Sequence, residues 1–182
     1  MINIYGKGGH AKVVHAVIEQ NEAAASIRFW SDVDFNNGIQ GKWVVAIGNN
    51  LDRMNVVGVL GSVEFIKVIS NTAIVSNCKI SEGSQLLHGC VVQTGTVIGK
   101  HCILNTAASV DHDCILNDFS FIGPNATLCG GVNIGAGSFV GAGAVILPNI
   151  TIGKNVIVGA GAVVTKNIHD DVVITGNPAR QL

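Results

Sequence analysis

The chain has 182 residues and a net charge of −1 with no basic tract, which argues against nucleic acid as a partner. Charged residues make up only 13%, about half the usual share, and mean hydropathy is +0.45. Yet Gly, Asn, Ser or Thr interrupts every apolar run short of the ~20 residues a spanning helix needs, so membrane insertion is not expected.

The opening "MINIYGKGGH" lacks a basic segment followed by an apolar core, so no signal peptide is expected. "INIYG" reads as a short strand ending at Gly6, and "GKGGHAKVVHAVIEQN" as a turn and a helix with Ala11, Val14, Ala16, Val17 and Ile18 on one face. "IRFWSD" predicts a second strand ending at Asp32. "WVVAIGNN" predicts a third, ending at Gly48, Asn49 and Asn50. "LDRMNVVGVL" predicts a helix and "EFIKVIS" a fourth strand. Strand, glycine turn, helix and acid-tipped strand describe a nucleotide-binding βαβ unit over residues 1–70. In that reading the N–H groups around Gly8 and Gly9 face a diphosphate, with His10 beside phosphate or sugar. Asp32 or Asp34 would bond a ribose hydroxyl or a base, near Gly48 and Asn49. Ala11 fills the third glycine position of the dinucleotide fingerprint, so a strand-to-helix turn without a ligand explains these residues about equally well.

From Ile74 to Val164 every sixth residue is aliphatic. Four positions after most of these stands a small residue, including Cys78, Cys90, Cys102 and Cys114. A cysteine in such a slot acts as a small hydrophobe. With Cys129 the count is five, without CxxC spacing, so neither a disulfide framework nor a metal site is expected. A period of six is too short for a helical solenoid and fits strand plus turn. Gly or Asn directly after the aliphatic, as in "IGKHC" and "IGAGS", supplies the corner. Three strands close a coil of eighteen residues, so residues 71–182 form a parallel β-helix and tail.

Within this apolar run, "SVDHDC" places Asp111, His112 and Asp113 between the inward Val110 and the small-slot Cys114. His112 therefore projects outward. An imidazole titrates near working pH and serves as a general base when a carboxylate fixes its tautomer. His15, His88, His101 and His169 read as solvated surface groups.

The six-residue period, the ending "VVITGNPARQL", and the N-terminal "YGKGGHAKVV" and "AIGNN" together resemble the hexapeptide-repeat acetyltransferases. The similar subgroup comprises the nucleotide-sugar N-acetyltransferases, such as the bacillosamine-pathway enzyme, and the sialic-acid O-acetyltransferases. The resemblance spans essentially the whole chain. It implies a small Rossmann-like α/β domain followed by a left-handed β-helix, assembled as a cytoplasmic homotrimer. It implies acetyl-CoA as co-substrate and a nucleotide-linked 4-amino-4,6-dideoxy sugar, expected to be UDP-linked, as acceptor. The "HDC" motif makes His112 the base and Asp113 its orienting acid, while Asp111 reads as a surface charge. Asn105 matches a residue near the sugar. Gly130 and Gly131 match a glycine near the acetyl group. The pantetheine arm is expected along later coils, near Ala142 and Ala160. The chain departs from relatives at Phe121, where a second histidine usually meets the thioester; any two-histidine scheme is thereby excluded. O-acetylation of a sialic acid is the nearest rival, and a non-catalytic sugar-nucleotide scaffold is a rival of another class. A hexapeptide-repeat carbonic anhydrase is disfavoured, because His88, His101 and His112 lack a common eighteen-residue spacing.

Overall fold

The computed structural model describes residues 1–22, 24–31 and 40–182. Near the N-terminus, β1 (Ile2–Tyr5) leads through α1 (Gly9–Asn21) to β2 (Ile27–Trp30). Then β3 (Lys42–Val45) leads through α2 (Asn50–Leu60) to β4 (Glu64–Phe65). All pairs are parallel, in the order β2-β1-β3-β4. The apolar face expected of α1 is real: Ala11, Val14, Val17 and Ile18 are buried against Ile2, Ile4 and Val44. The expected fourth strand "EFIKVIS" is split. Glu64–Phe65 closes the small sheet, whereas β5 (Val68–Ile69) pairs with Gln85–Leu86 and opens the repeat region.

That region is a three-faced parallel β-helix. The first face stacks Gln85–Leu86, Ile103–Leu104, Phe121–Ile122, Phe139–Val140 and Ile157–Val158. The second stacks Val91–Val92, Ser109–Val110, Thr127–Leu128, Val145–Ile146 and Val163–Val164. The third stacks Val97–Ile98, Ile115–Leu116, Asn133–Ile134 and Thr151–Ile152. From Leu86 to Val164 the aliphatic column points inward and is buried. The small slot is buried beside it, with Cys90, Cys102, Ala108 and Cys114 at 0% exposure. Burial pushes the Cys90 and Cys102 thiols up to about 11, so they remain protonated packing groups.

Three expectations are corrected. Ile74 is not in the inward column: Val75 pairs with Val92, leaving Ile74 61% exposed. The left-handed corner residue is not the one directly after the aliphatic but the third after it. Positive φ recurs every six residues, through Asn77, Gly83, Gly89, Gly95, His101, Ala107, Asp113 and Phe119 and onward to Gly161. The glycines directly after the aliphatic have another cause, which is close stacking of coils: a Cβ on Gly141 would lie 2.6 Å from Ala160 N. Lastly, His101 is not a solvated histidine. It is 4% exposed, stacked on Phe119 with ring centroids 5.0 Å apart and edged by Phe65 at 4.6 Å. Burial pulls its pKa down to about 4.

The small sheet and its helices lie over the lower coils of the first face. Arg53, on α2, is fully buried and pins them there. Its Nε donates to His101 O at 3.0 Å and its Nη2 to Phe119 O at 2.9 Å, both on the prism. Its Nη1 donates to Ile47 O at 2.9 Å and Gly48 O at 3.2 Å, at the end of β3. Burial lowers its pKa to about 10, so it stays a cation. Asn50 Nδ2 adds bonds to Gly137 O and Ser138 O at 2.8 and 3.2 Å.

Candidate active site

His112 stands at the corner between the second and third faces. Asp113 follows it with φ 58, in the left-handed region that the short polar acids tolerate better than most side chains. This turn folds Asp113 back so that His112 Nδ1 and Asp113 Oδ2 are 2.8 Å apart. An ionised carboxylate only accepts, so Nδ1 carries the proton and Nε2 keeps its lone pair. Both side chains are open, at 57% and 71% exposure. The Asp113 hydrogen bond first, and the Asp111 charge second, raise the imidazole pKa. Asp111 does more than the surface charge expected of it: its Oδ1 accepts the His112 backbone N–H at 2.8 Å and caps the turn.

One coil on, Gly130 lies beneath the imidazole. A Cβ there would sit 2.6 Å from both His112 Cε1 and Nε2, so only glycine leaves the ring its place. The Gly131 N–H is already used, donating to His112 O at 2.9 Å. The Gly130 N–H donates to no group among the described residues. His112, Asp113, Gly130 and Gly131 are thus brought together within one chain.

The other expected residues lie elsewhere. Asn105 occupies the corner between the first and second faces, and its Oδ1 accepts the Thr106 N–H at 2.8 Å. Ala142 and Ala160 share that corner on later coils and are exposed. Phe121 lies on the first face, stacked on Phe139 with centroids 4.6 Å apart and planes at 10°. Together they wall a cleft of about 610 Å³ with Met54, Leu51, Asn155 and Ile157. So within a single chain Phe121 does not meet His112.

Gly8, Gly9, His10 and Gly48 line a second cleft of about 390 Å³, with Tyr5, Ser31 and Ala46. It sits at the carboxyl ends of β1 and β3, where the connections leave the sheet in opposite directions; open parallel sheets bind ligands at such switch points. Gly6 makes the opening: its φ is +130, and a Cβ would lie 2.6 Å from Ala46 O. No side chain caps the first turn of α1, so its backbone donors face this cleft. Asn49 caps α2, its Oδ1 accepting Asp52 N–H at 3.1 Å, and belongs to the larger cleft. Gly48 borders both clefts. Asp32 and Asp34 lie outside the described residues. Arg53 and Gln85 carry no signal in the sequence, because their roles depend on partners far along the chain.

The repeat matches the bacterial transferase hexapeptide family over residues 113–147 and 131–166. This defines the chain as a left-handed β-helix protein of the acyltransferase class. Solved structures resemble it over its whole length. The acetyltransferase domain of PglB from Neisseria gonorrhoeae, in complex with acetyl coenzyme A, is 33% identical; the match covers 100% of this chain and 98% of that one, with a TM-score of 0.91. A variant of perosamine N-acetyltransferase from Caulobacter crescentus, in complex with CoA and GDP-perosamine, is 30% identical, covering 100% and 96%, with a TM-score of 0.91. WeeI from Acinetobacter baumannii is 29% identical, covering 100% and 99%, with a TM-score of 0.91. No curated protein sequence matches the chain significantly. The chain belongs to the hexapeptide-repeat sugar N-acetyltransferases and is an acyltransferase.

Proposed function

We propose that this enzyme moves an acetyl group from acetyl-CoA to the 4-amino group of a nucleotide-linked 4-amino-4,6-dideoxy sugar, UDP-linked as in the bacillosamine pathway, in the cytoplasm. The observation that carries the reading is the His112–Asp113 pair, with Nε2 free above Gly130. The amine nitrogen attacks the thioester carbonyl carbon, and His112 Nε2 takes a proton from that nitrogen. Asp113 stabilises the imidazolium so formed. The Gly130 N–H steadies the carbonyl oxygen while it is negative. The C–S bond then breaks, and the imidazolium returns its proton to the CoA thiolate. A general base contributes about 10²- to 10⁴-fold, and holding amine and thioester together roughly 7–11 kcal/mol.

The nucleotide lies in the cleft between β1 and β3, in a Rossmann-like domain that uses its sheet for a diphosphate. Asp32 and Asp34 are its proposed base or ribose contacts, Asn105 its sugar contact, and the corner bearing Ala142 and Ala160 the pantetheine track. Because His112, Phe121 and Asn105 occupy different corners and faces of one prism, a complete site needs adjacent chains, and a homotrimer supplies them. Val97 and Ile115, 39% and 46% exposed on the third face, support such burial. The relative from Caulobacter crescentus binds GDP-perosamine, so the test spans bases. Thiol release from acetyl-CoA is measured with UDP-, GDP- and dTDP-linked 4-amino sugars and with free sialic acid. Release with an amino sugar supports the reading. Release with sialic acid alone replaces it by O-acetylation, and no release with any amine rejects it.

A further inference from the structure

His10 lies in the first turn of α1 beside the proposed nucleotide cleft, and its ring is held by a buried amide. Gln85 is 0% exposed. Its Nε2 donates to Val45 O at 2.9 Å. A backbone carbonyl only accepts, so this bond fixes which end of the Gln85 amide is nitrogen. The Gln85 Oε1 is thereby turned to His10 Nε2, 2.7 Å away. That oxygen only accepts as well, so His10 Nε2 must be the donor. The proton is on Nε2, and Nδ1 is left with a lone pair. Nδ1 makes no hydrogen bond among the described residues, and it is not among the side-chain atoms sealed from solvent. His10 lines the cleft with Gly8, Gly9 and Gly48. Burial lowers the pKa of this imidazole against the opposing pull of its bond to Gln85, and the nearby Arg53 cation lowers it further, which favours the neutral ring.

We infer that His10 is a specificity residue whose Nδ1 accepts a hydrogen bond from a hydroxyl or amine of the sugar ring, and that it does not bind the diphosphate. This rests on the nucleotide-sugar reading given above. A phosphate oxygen presents lone pairs only, so facing Nδ1 it would meet a second acceptor. A sugar hydroxyl or amine offers the proton that Nδ1 needs. The two histidines of the chain's candidate sites are therefore set in opposite tautomers by their partners. Asp113 fixes His112 with Nε2 free, and Gln85 fixes His10 with Nδ1 free.

The experiment has two arms. In the first, calorimetry gives Kd for UDP, GDP and dTDP alone and for the corresponding 4-amino-sugar conjugates, with wild-type chain and with His10→Phe. The substitution is expected to weaken the conjugate by about tenfold or more and to leave the bare diphosphate within about twofold. Equal losses for diphosphate and conjugate would overturn the assignment alone. Absence of diphosphate binding to the wild-type chain would overturn the nucleotide-sugar reading and the assignment with it. In the second arm, nitrogen-15 NMR of the unsubstituted protein reads the ring directly, independent of whether the variant folds. A neutral ring protonated at Nε2 is expected. A ring protonated at Nδ1, or an imidazolium at neutral pH, would overturn the assignment.

Discussion

Gly130→Ala should separate catalysis from stability in this enzyme. The added Cβ would stand 2.6 Å from His112 Cε1 and Nε2, where ordinary contacts begin at 3.4 Å. The ring must therefore back away by about 0.8 Å, the difference between those distances. Within one chain it can do so, because the side chain is 57% exposed. Gly130 itself has an ordinary φ, so the backbone is not strained. Gly130 is buried, but the atoms its Cβ would meet are the tip of an exposed side chain, so folding stability should change by under about 1 kcal/mol. Displacement breaks the 2.8 Å bond to Asp113 and moves Nε2 from the attacking nitrogen. Misplacement on this scale costs about 10²-fold in rate. The assay is steady-state thiol release from acetyl-CoA, with thermal unfolding on the same samples. A kcat within about threefold of wild type, with the fold intact, would refute the reasoning that His112 works from this position.

Asp113→Asn should change the pH profile. His112 acts unprotonated, so kcat/KM rises with pH, and the raised imidazole pKa puts that limb above the ordinary histidine value. Removing the carboxylate removes the largest cause of the shift, so the limb moves to lower pH and the plateau falls; a limb that stays in place contradicts this. Arg53→Met strands the carbonyls of His101, Phe119 and Ile47. It should cost about 3 kcal/mol or more in urea unfolding, and Arg53→Lys should restore little of this because an ammonium cannot reproduce the planar fork. Sedimentation of the wild-type chain should give the mass of three chains, and a monomer would remove the proposed composite site.

The β-helix was legible because its signal is short, periodic and local. Each strand puts an aliphatic inside, most put a small residue beside it, and most six-residue windows carry both. The same logic placed Asp111, His112 and Asp113 outward between Val110 and Cys114. What escaped the reading depends on contacts between distant segments. The repeat runs through Ile74 without a break, yet the first coil is one residue short, so Val75 takes the inward place. His101 occupies a corner like any other until Phe65 and Phe119 close over it. Arg53 sits in an unremarkable helical stretch, and its acceptors on the prism are 48 and 66 residues away. Phe121 follows His112 by nine residues, but those nine residues turn a corner and cross onto another face, so the two do not meet within one chain.

The central claim is that His112 is the base. Its most direct test is thiol release from acetyl-CoA by His112→Ala beside the wild-type enzyme, with the accepted amino sugar at saturation and acetyl-CoA affinity measured in parallel. If His112 is the base, kcat falls by about 10²- to 10⁴-fold, with acetyl-CoA binding little changed. Near-normal turnover in that variant would contradict it.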